Sequence, residues 1–443
     1  MRSSLRPSSL LAASPVRALW GLALPLLGTG LLNLSSMLGD RFWIGSLGRE
    51  SLAGLARAHA IWLVALTLIL GLGLGTLANV AQRRGADDEA GAARIAGAGL
   101  GLALGLGALL CLAAWPLTHL AEALFASEVG PATNYLAIVL MGALFQGPLL
   151  VALFALQGAG EGRAALQAGA AAPLLNLVLT PLLLGWGLEG AAAATVLSNL
   201  AALAWTIVLV RRKLGVRSSE LIPGSEELRA ILGVGLPRTL EHAARNGAGL
   251  VLVVVLAPFG SSVLAGYAAA LAVLLLLIHP GLAIGQATAA CVGQALGAAR
   301  PERAWACAWW GAGSYALFLG VAGLGVFASA PSLIAIFDAT PATVRAGSAL
   351  LRTLAPALPF LGLGLVLGKA CAGARRADLS LRAVALAHLG IQLPLVWLLA
   401  RTWGPSGAFL GMALAYVAHG LMAAAWVALN FNPARPELLR TPS

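Results

Sequence analysis

The chain has 443 residues, of which 59% are hydrophobic and only 10% charged, and it carries a formal net charge of +11. A soluble domain carries roughly 25% charged residues, so too little polar side chain is present to clothe a water-facing surface. The composition therefore excludes an ordinary soluble protein. The arginine excess forms no basic cluster interleaved with aromatics, which argues against a nucleic-acid partner and fits the loops of a multi-pass membrane protein.

A bilayer core takes about 20 apolar residues of helix. By that ruler twelve segments are expected, at 16–43, 51–82, 93–117, 133–157, 163–184, 188–212, 228–258, 262–295, 302–327, 345–369, 380–401 and 405–430. Arg17 interrupts before any signal-peptide core forms, and no cleavage site follows, so the first segment is expected to be a retained membrane helix.

The charges test this count. With the N-terminus inside, 20 of the 28 Lys and Arg fall on inner segments, among them Arg83, Arg84, Arg163, the run Arg211-Arg212-Lys213, Arg300, Arg303, Lys369, Arg375 and Arg376, with Arg2, Arg6, Arg435 and Arg440 at the ends. The outer side has Arg41, Arg49, Arg57, Arg345, Arg352 and Arg401, and its loops carry Glu122, Glu128, Glu189 and Asp338. This asymmetry predicts both termini in the cytoplasm and the chain in the plasma (inner) membrane, in contact with its lipids.

Two stretches are versions of each other. Residues 24–86 match 236–298 at a constant offset of 212: Pro25 with Pro237, Gly48 with Gly260, Thr76 with Thr288, Gln82 with Gln294. Farther on, GWGLEGA (185–191) pairs with TWGPSGA (402–408), and LFAS (124–127) with IFDA (336–339). The longest polar linker, 213–227, separates residues 1–212 from 228–443. The expected fold is thus an all-α integral membrane protein with twelve transmembrane helices in two six-helix lobes. An even number of helices per repeat enters the membrane in the same direction, so the lobes should be related by a pseudo-two-fold axis along the membrane normal, with a cavity between them.

The runs LPLL…DRFWIGSLGRESLAG…GLGLGTLANVAQRRGADDEAGAAR (24–94) and VGQALGAARPERA (292–304), with LQGAGEGR (156–163) and WGLEGAAAAT (186–195), resemble the multidrug and toxic compound extrusion (MATE) transporters. The resemblance covers nearly the whole chain. It implies an antiporter that exports a small-molecule substrate, commonly bulky, amphipathic and cationic, while admitting protons or sodium ions. No further cofactor is implied, and the chain is expected to act as a monomer.

Charged groups within membrane segments are costly and point to function. Asp40 leads the list. A carboxylate in a partly dry bundle can take and release a proton, or bind a bare sodium ion with neighbouring oxygens. The resemblance places Asp40 on the family's first-helix carboxylate, implicated in cation coupling; Arg41 beside it departs from the family's small hydroxyl residue. The alternative is an interfacial Asp40 balanced by Arg41 or Arg49. In the fifth segment Asn176 and Thr180 share a face. One branch of the family has Asn then Asp in this pattern, so Thr180 stands where an acid would complete a two-carboxylate site. In the seventh segment Glu241, Arg245 and Asn246 are a candidate substrate or cation site, or Glu241 and Arg245 form a structural pair.

Gln82 and Gln294 are expected to serve turn packing, and Asp87, Asp88 and Glu89 the start of the third helix. His59, His119, His279, His388 and His419 are scattered without metal-ligand spacing, and Cys111, Cys291, Cys307 and Cys371 lie far apart and read as small buried hydrophobes. A lipid-linked sugar flippase is the alternative transporter; its pyrophosphate would call for converging cations such as Arg238, Arg245 and Arg352. A membrane enzyme finds no H-x-x-x-H or G-x-S-x-G to support it, and no paired aspartates within a membrane segment.

Overall fold

The structure is a computed structural model that describes residues 9–125 and 131–430. Arg2, Arg6, Glu128, Arg435, Arg440 and the 126–127 end of the LFAS stretch lie outside the described residues, as do the side chains of Arg49, Arg57 and Glu122.

Among the described residues ten continuous stretches are long and apolar enough to cross a membrane, and two of them, Gly162–Leu214 and Ala377–Asn430, run to 53 and 54 residues. Each of these two is broken at a glycine. Gly187 has φ 69° and ψ −149°, and Gly404 has φ 63° and ψ −148°. That conformation excludes most side chains, so the chain turns there and each stretch makes two spans. The helices are α1 (Pro15–Gly45), α2 (Arg49–Gly85), α3 (Glu89–Leu112), α4 (Pro131–Gly158), α5 (Gly162–Leu183), α6 (Gly187–Leu214), α7 (Ser225–Leu256), α8 (Ser261–Gly297), α9 (Pro301–Ala335), α10 (Pro341–Gly373), α11 (377–403) and α12 (405–430). No strand occurs among the described residues. α10 carries a 3-10 turn at Ala355–Ala357, and α11 an eight-residue π-helical stretch at Ala385–Gln392.

Large apolar side chains point outward along these helices, Leu112 and Leu324 being 80% and 74% exposed. A lipid-facing surface requires this, because only the backbone hydrogen bonds need be satisfied within the helix. Close helix packing is carried by small residues.

The chain forms two compact units, one built on Gly21–Thr239 and the other on residues from Leu240 onward together with Ala13–Trp20. In the first unit Asn79 donates to the Ala230 carbonyl at 2.9 Å, and a side chain at Gly71 or Gly75 would collide with Thr239 or the Ile231 carbonyl of α7. Gly97 and Gly101 of α3 leave room for Glu220 and Leu221 of the linker.

The duplication read in the sequence is repeated contact for contact inside each unit. A Cβ on Gly99 would fall on Thr76, and one on Gly311 would fall on Thr288. A Cβ on Gly158 would meet the Leu77 carbonyl, and one on Gly373 the Ala289 carbonyl. Gly48 and Gly260 precede matched helices with φ 107° and 101°. Even the rare positive φ of Asp87 (57°) recurs at Ala299 (55°). These matched pairs are 212 apart, except Gly158 and Gly373, which are shifted by three more residues.

Three placements differ from expectation. The third span ends at Leu112, and a separate helix, Ala114–Phe125, follows it. α9 runs eight residues beyond the expected end, to Ala335. Lys369, assigned to an inner loop, is buried at 6% exposure because α10 continues to Gly373; its stem lies against Gly285, as Phe154 lies against the matched Gly73.

Candidate functional site

α1 and α5 meet across small residues. A Cβ at Gly169 would fall on Thr29, and one at Gly39 would come 2.8 Å from Leu177. This close approach lets two short polar side chains on each helix reach across. Ser36 and Asp40 are four apart on α1; Asn176 and Thr180 are four apart on α5. Ser36 Oγ donates to Asn176 Oδ1 at 2.7 Å, and Thr180 Oγ1 donates to Asp40 Oδ1 at 2.9 Å. Asn176 Nδ2 in turn donates to Thr195 Oγ1 of α6 at 3.2 Å. Asn176, Thr180 and Ser36 are buried and Asp40 is half-buried.

All three of the expected first-unit residues are therefore in one site. Arg41 is exposed, and Asp40 makes no ion pair among the described residues. The site is a carboxylate with one neutral hydroxyl on it and a second neutral polar pair one turn away, an arrangement that can hold a proton or a monovalent cation. Ser36 and Thr195 were not singled out from the sequence. Ser36 had one available signal, its position a turn before Asp40 on the same face.

A second polar cluster lies in the other unit. Arg245 Nη2 donates to Glu241 Oε1 at 3.2 Å, and Ser380 Oγ of α11 donates to Glu241 Oε2 at 2.7 Å. Glu241 is buried while the Arg245 side chain is 27% exposed. Asn246 is exposed and makes no hydrogen bond to either among the described residues. The structure also joins histidines that are remote in sequence. His388 Nδ1 is 2.6 Å from Gln392 Oε1, and the His388 ring centroid lies 5.7 Å from that of His419. His59 is exposed and His279 is half-buried. Cys291 and Cys307, far apart in sequence, hydrogen-bond to each other between α8 and α9.

The cations considered for a pyrophosphate have separate environments. Arg245 is committed to Glu241, Arg238 is buried in the first unit, and Arg352 is exposed, donating to the Phe327 carbonyl at 3.3 Å. Outside the spans, Asp88 caps α3. Its carboxylate accepts the Gly91 N–H at 2.7 Å and pairs with Arg83 at 2.9 Å. The Gly91 hydrogen bond first, and the Arg83 charge after it, hold that carboxyl below the usual range. Gln82 and Gln294 accept, through their carbonyls, the N–H groups that close the turns after α2 and α8.

Comparison with known proteins agrees with this architecture. The MatE family model matches residues 25–182 and 237–398, once in each repeat. The chain is 28% identical over 353 residues to a probable multidrug resistance protein of Bacillus subtilis, YpnP, covering 78% of this chain and 79% of that one. It is 30% identical over 272 residues to a probable multidrug resistance protein of Deinococcus radiodurans, NorM, covering 59% and 60%. Its fold matches a MATE crystal structure in the straight conformation with a TM-score of 0.91, at 25% identity and over 99% of this chain and 100% of that one.

Proposed function

The chain belongs to the MatE family, and on that premise we propose that it is an ion-coupled exporter of amphipathic, cationic organic compounds, working by alternating access. The family's members are transporters rather than enzymes. Two relatives bear the name of multidrug resistance proteins.

The observation that carries the coupling assignment is the pair of cross-helix bonds, Thr180 to Asp40 and Ser36 to Asn176. A bare carboxylate within a membrane-spanning helix is costly, by about 2.5–3.5 kcal/mol at a helix centre. One hydroxyl donor offsets part of that, and a bound proton or sodium ion removes the rest. Asp40, Asn176 and Thr180 are thereby the coupling residues, with Ser36 and Thr195 fixing the orientation of Asn176. Cation binding at Asp40 biases the conformational equilibrium by its differential affinity for the two states. In the second unit Glu241, Arg245 and Asn246 are the substrate-contact residues: a buried carboxylate suits an organic cation, and Arg245 holds it until substrate arrives. The exporter sits in the plasma membrane with both termini cytoplasmic, as the arginine asymmetry supports. Its cofactor requirement is the coupling ion alone.

The test is gradient-driven transport of a fluorescent cationic dye in inverted vesicles, parent against Asp40→Asn. Loss of gradient dependence in a folded variant supports the assignment.

A further inference from the structure

The second unit holds a titratable group that this account of coupling leaves unused. His388 is 2% exposed and lies on the π-helical stretch Ala385–Gln392 of α11. Stretches of π-helix are rare and occur frequently at functional sites. This one places His388 and Gln392, four apart, within 2.6 Å, Nδ1 to Oε1. The amide oxygen can only accept, so the His388 hydrogen sits on Nδ1 and Nε2 keeps its lone pair. Nε2 is buried and has no hydrogen-bond partner among the described residues. A basic nitrogen so placed is a receptor for a proton. The second imidazole, His419 of α12, is 1% exposed, and its ring lies in space opened by the missing side chain of Gly364.

We propose that His388 and His419 form a second cation-binding site, which holds one proton between the two imidazoles and is tied electrostatically to Glu241. The groups facing it set the charge balance. From α7, the oppositely charged Glu241 and Arg245 both face His388. From α12, Tyr416 meets the His388 ring edge-on with centroids 6.2 Å apart, and Tyr416 in turn faces Tyr267 of α8. α10 contributes Gly364, and its buried cation Lys369 is turned against Gly285 of α8. With one ring charged, a second charge 5.7 Å away is roughly a hundredfold harder to add at an effective dielectric constant of about 20. A proton here also competes with Arg245 for Glu241, and the partly exposed Arg245 can swing toward water. The site rests on the second unit alone and does not depend on Asp40 being the coupling group.

The test is hydrogen–deuterium exchange at histidine Cε1, read residue by residue by mass spectrometry on the purified, unmodified protein in detergent across about pH 4–9. It needs no substrate and no transport. The expected result is that His388 and His419 both titrate in two steps separated by about two pH units. In His388→Gln or His419→Gln, the remaining histidine should titrate in a single step. Glu241→Gln should make the first proton at least tenfold harder to add. Two flat profiles, single-step profiles indifferent to loss of the other histidine, or indifference to Glu241→Gln would overturn the proposal. The parent profile decides the matter even where a variant fails to fold.

Discussion

Thr180 Oγ1 donates a 2.9 Å hydrogen bond to Asp40 Oδ1, one helical turn from the 2.7 Å bond between Ser36 Oγ and Asn176 Oδ1. Two residues four apart on α1 thus face two residues four apart on α5. The lower rung is neutral and the upper one holds the carboxylate; under the proposed coupling role, the first rung fixes the geometry of the second.

Removing the Thr180 hydroxyl tests that division of labour. A hydrogen bond to a charged group contributes about 1.5–3 kcal/mol. Thr180→Val should change the coupling-ion concentration at half-maximal transport by tenfold or more, with the protein folded and expressed. Thr180→Ser, which restores the donor, should stay within a few-fold of the parent. Transport kinetics over a range of pH and sodium concentration measure both.

Helix contacts through glycine predict a sharp contrast in stability. A side chain at Gly158 would fall on the Leu77 carbonyl, whereas one at Gly105 would meet nothing within 4 Å. Backbone cannot yield as a side-chain tip can, so Gly158→Ala should cost about 1–3 kcal/mol and lower the unfolding temperature. Gly105→Ala should leave it unchanged or raise it slightly, because alanine favours the helix. Gly373→Ala should behave as Gly158→Ala does, since its new methyl would meet Ala289. Thermal unfolding in one detergent compares the three.

Asp88 gives a pH signature. Its carboxyl lies below the usual range because it accepts the Gly91 N–H and faces Arg83. A depressed folded value means that the stabilisation is complete above the unfolded aspartate value, about 3.9, and is lost as pH falls through the folded one. Asp88→Ala should cost about 1 kcal/mol, as for other N-caps, equally at pH 6 and pH 8. The difference from the parent should shrink only in more acid solution. Unfolding midpoints measured from pH 3.5 to 8 give the curve.

How much of this was legible in the sequence follows from what each signal requires. The repeat was legible because matched glycines keep matched neighbours, and Gly187 and Gly404 share one turn conformation. Asp40, Asn176 and Thr180 were legible because each is polar in an apolar helix and the last two share a face. Thr195 was not, since hydroxyls that bond their own backbone, as Thr195 bonds Ala191, are common in membrane helices, and Ser36 carried only its place a turn before Asp40. The approach of His388 to His419 depends on a π-helical stretch that no residue pattern announces. Lys369 read as a loop cation because its helix outlasts the apolar run. A buried lysine beside Gly285 follows from helix packing, which charge counting does not see.

Sidedness is testable with single cysteines. Ser218 in the linker and Thr340 between α9 and α10 are exposed. A membrane-impermeant thiol reagent added to intact cells should label Thr340→Cys and spare Ser218→Cys, and inverted vesicles should reverse the result. Three of the four native cysteines are buried and Cys111 is half-buried, so Cys111→Ser gives a quiet background.

The most direct test of the central claim is gradient-driven transport of a cationic dye in inverted vesicles by the parent and by Asp40→Asn, under separate pH and sodium gradients. Coupling through Asp40 predicts that the parent responds to one of the gradients and that the folded variant responds to neither. Undiminished gradient-driven transport by Asp40→Asn would contradict the account and remove Asp40 from the mechanism.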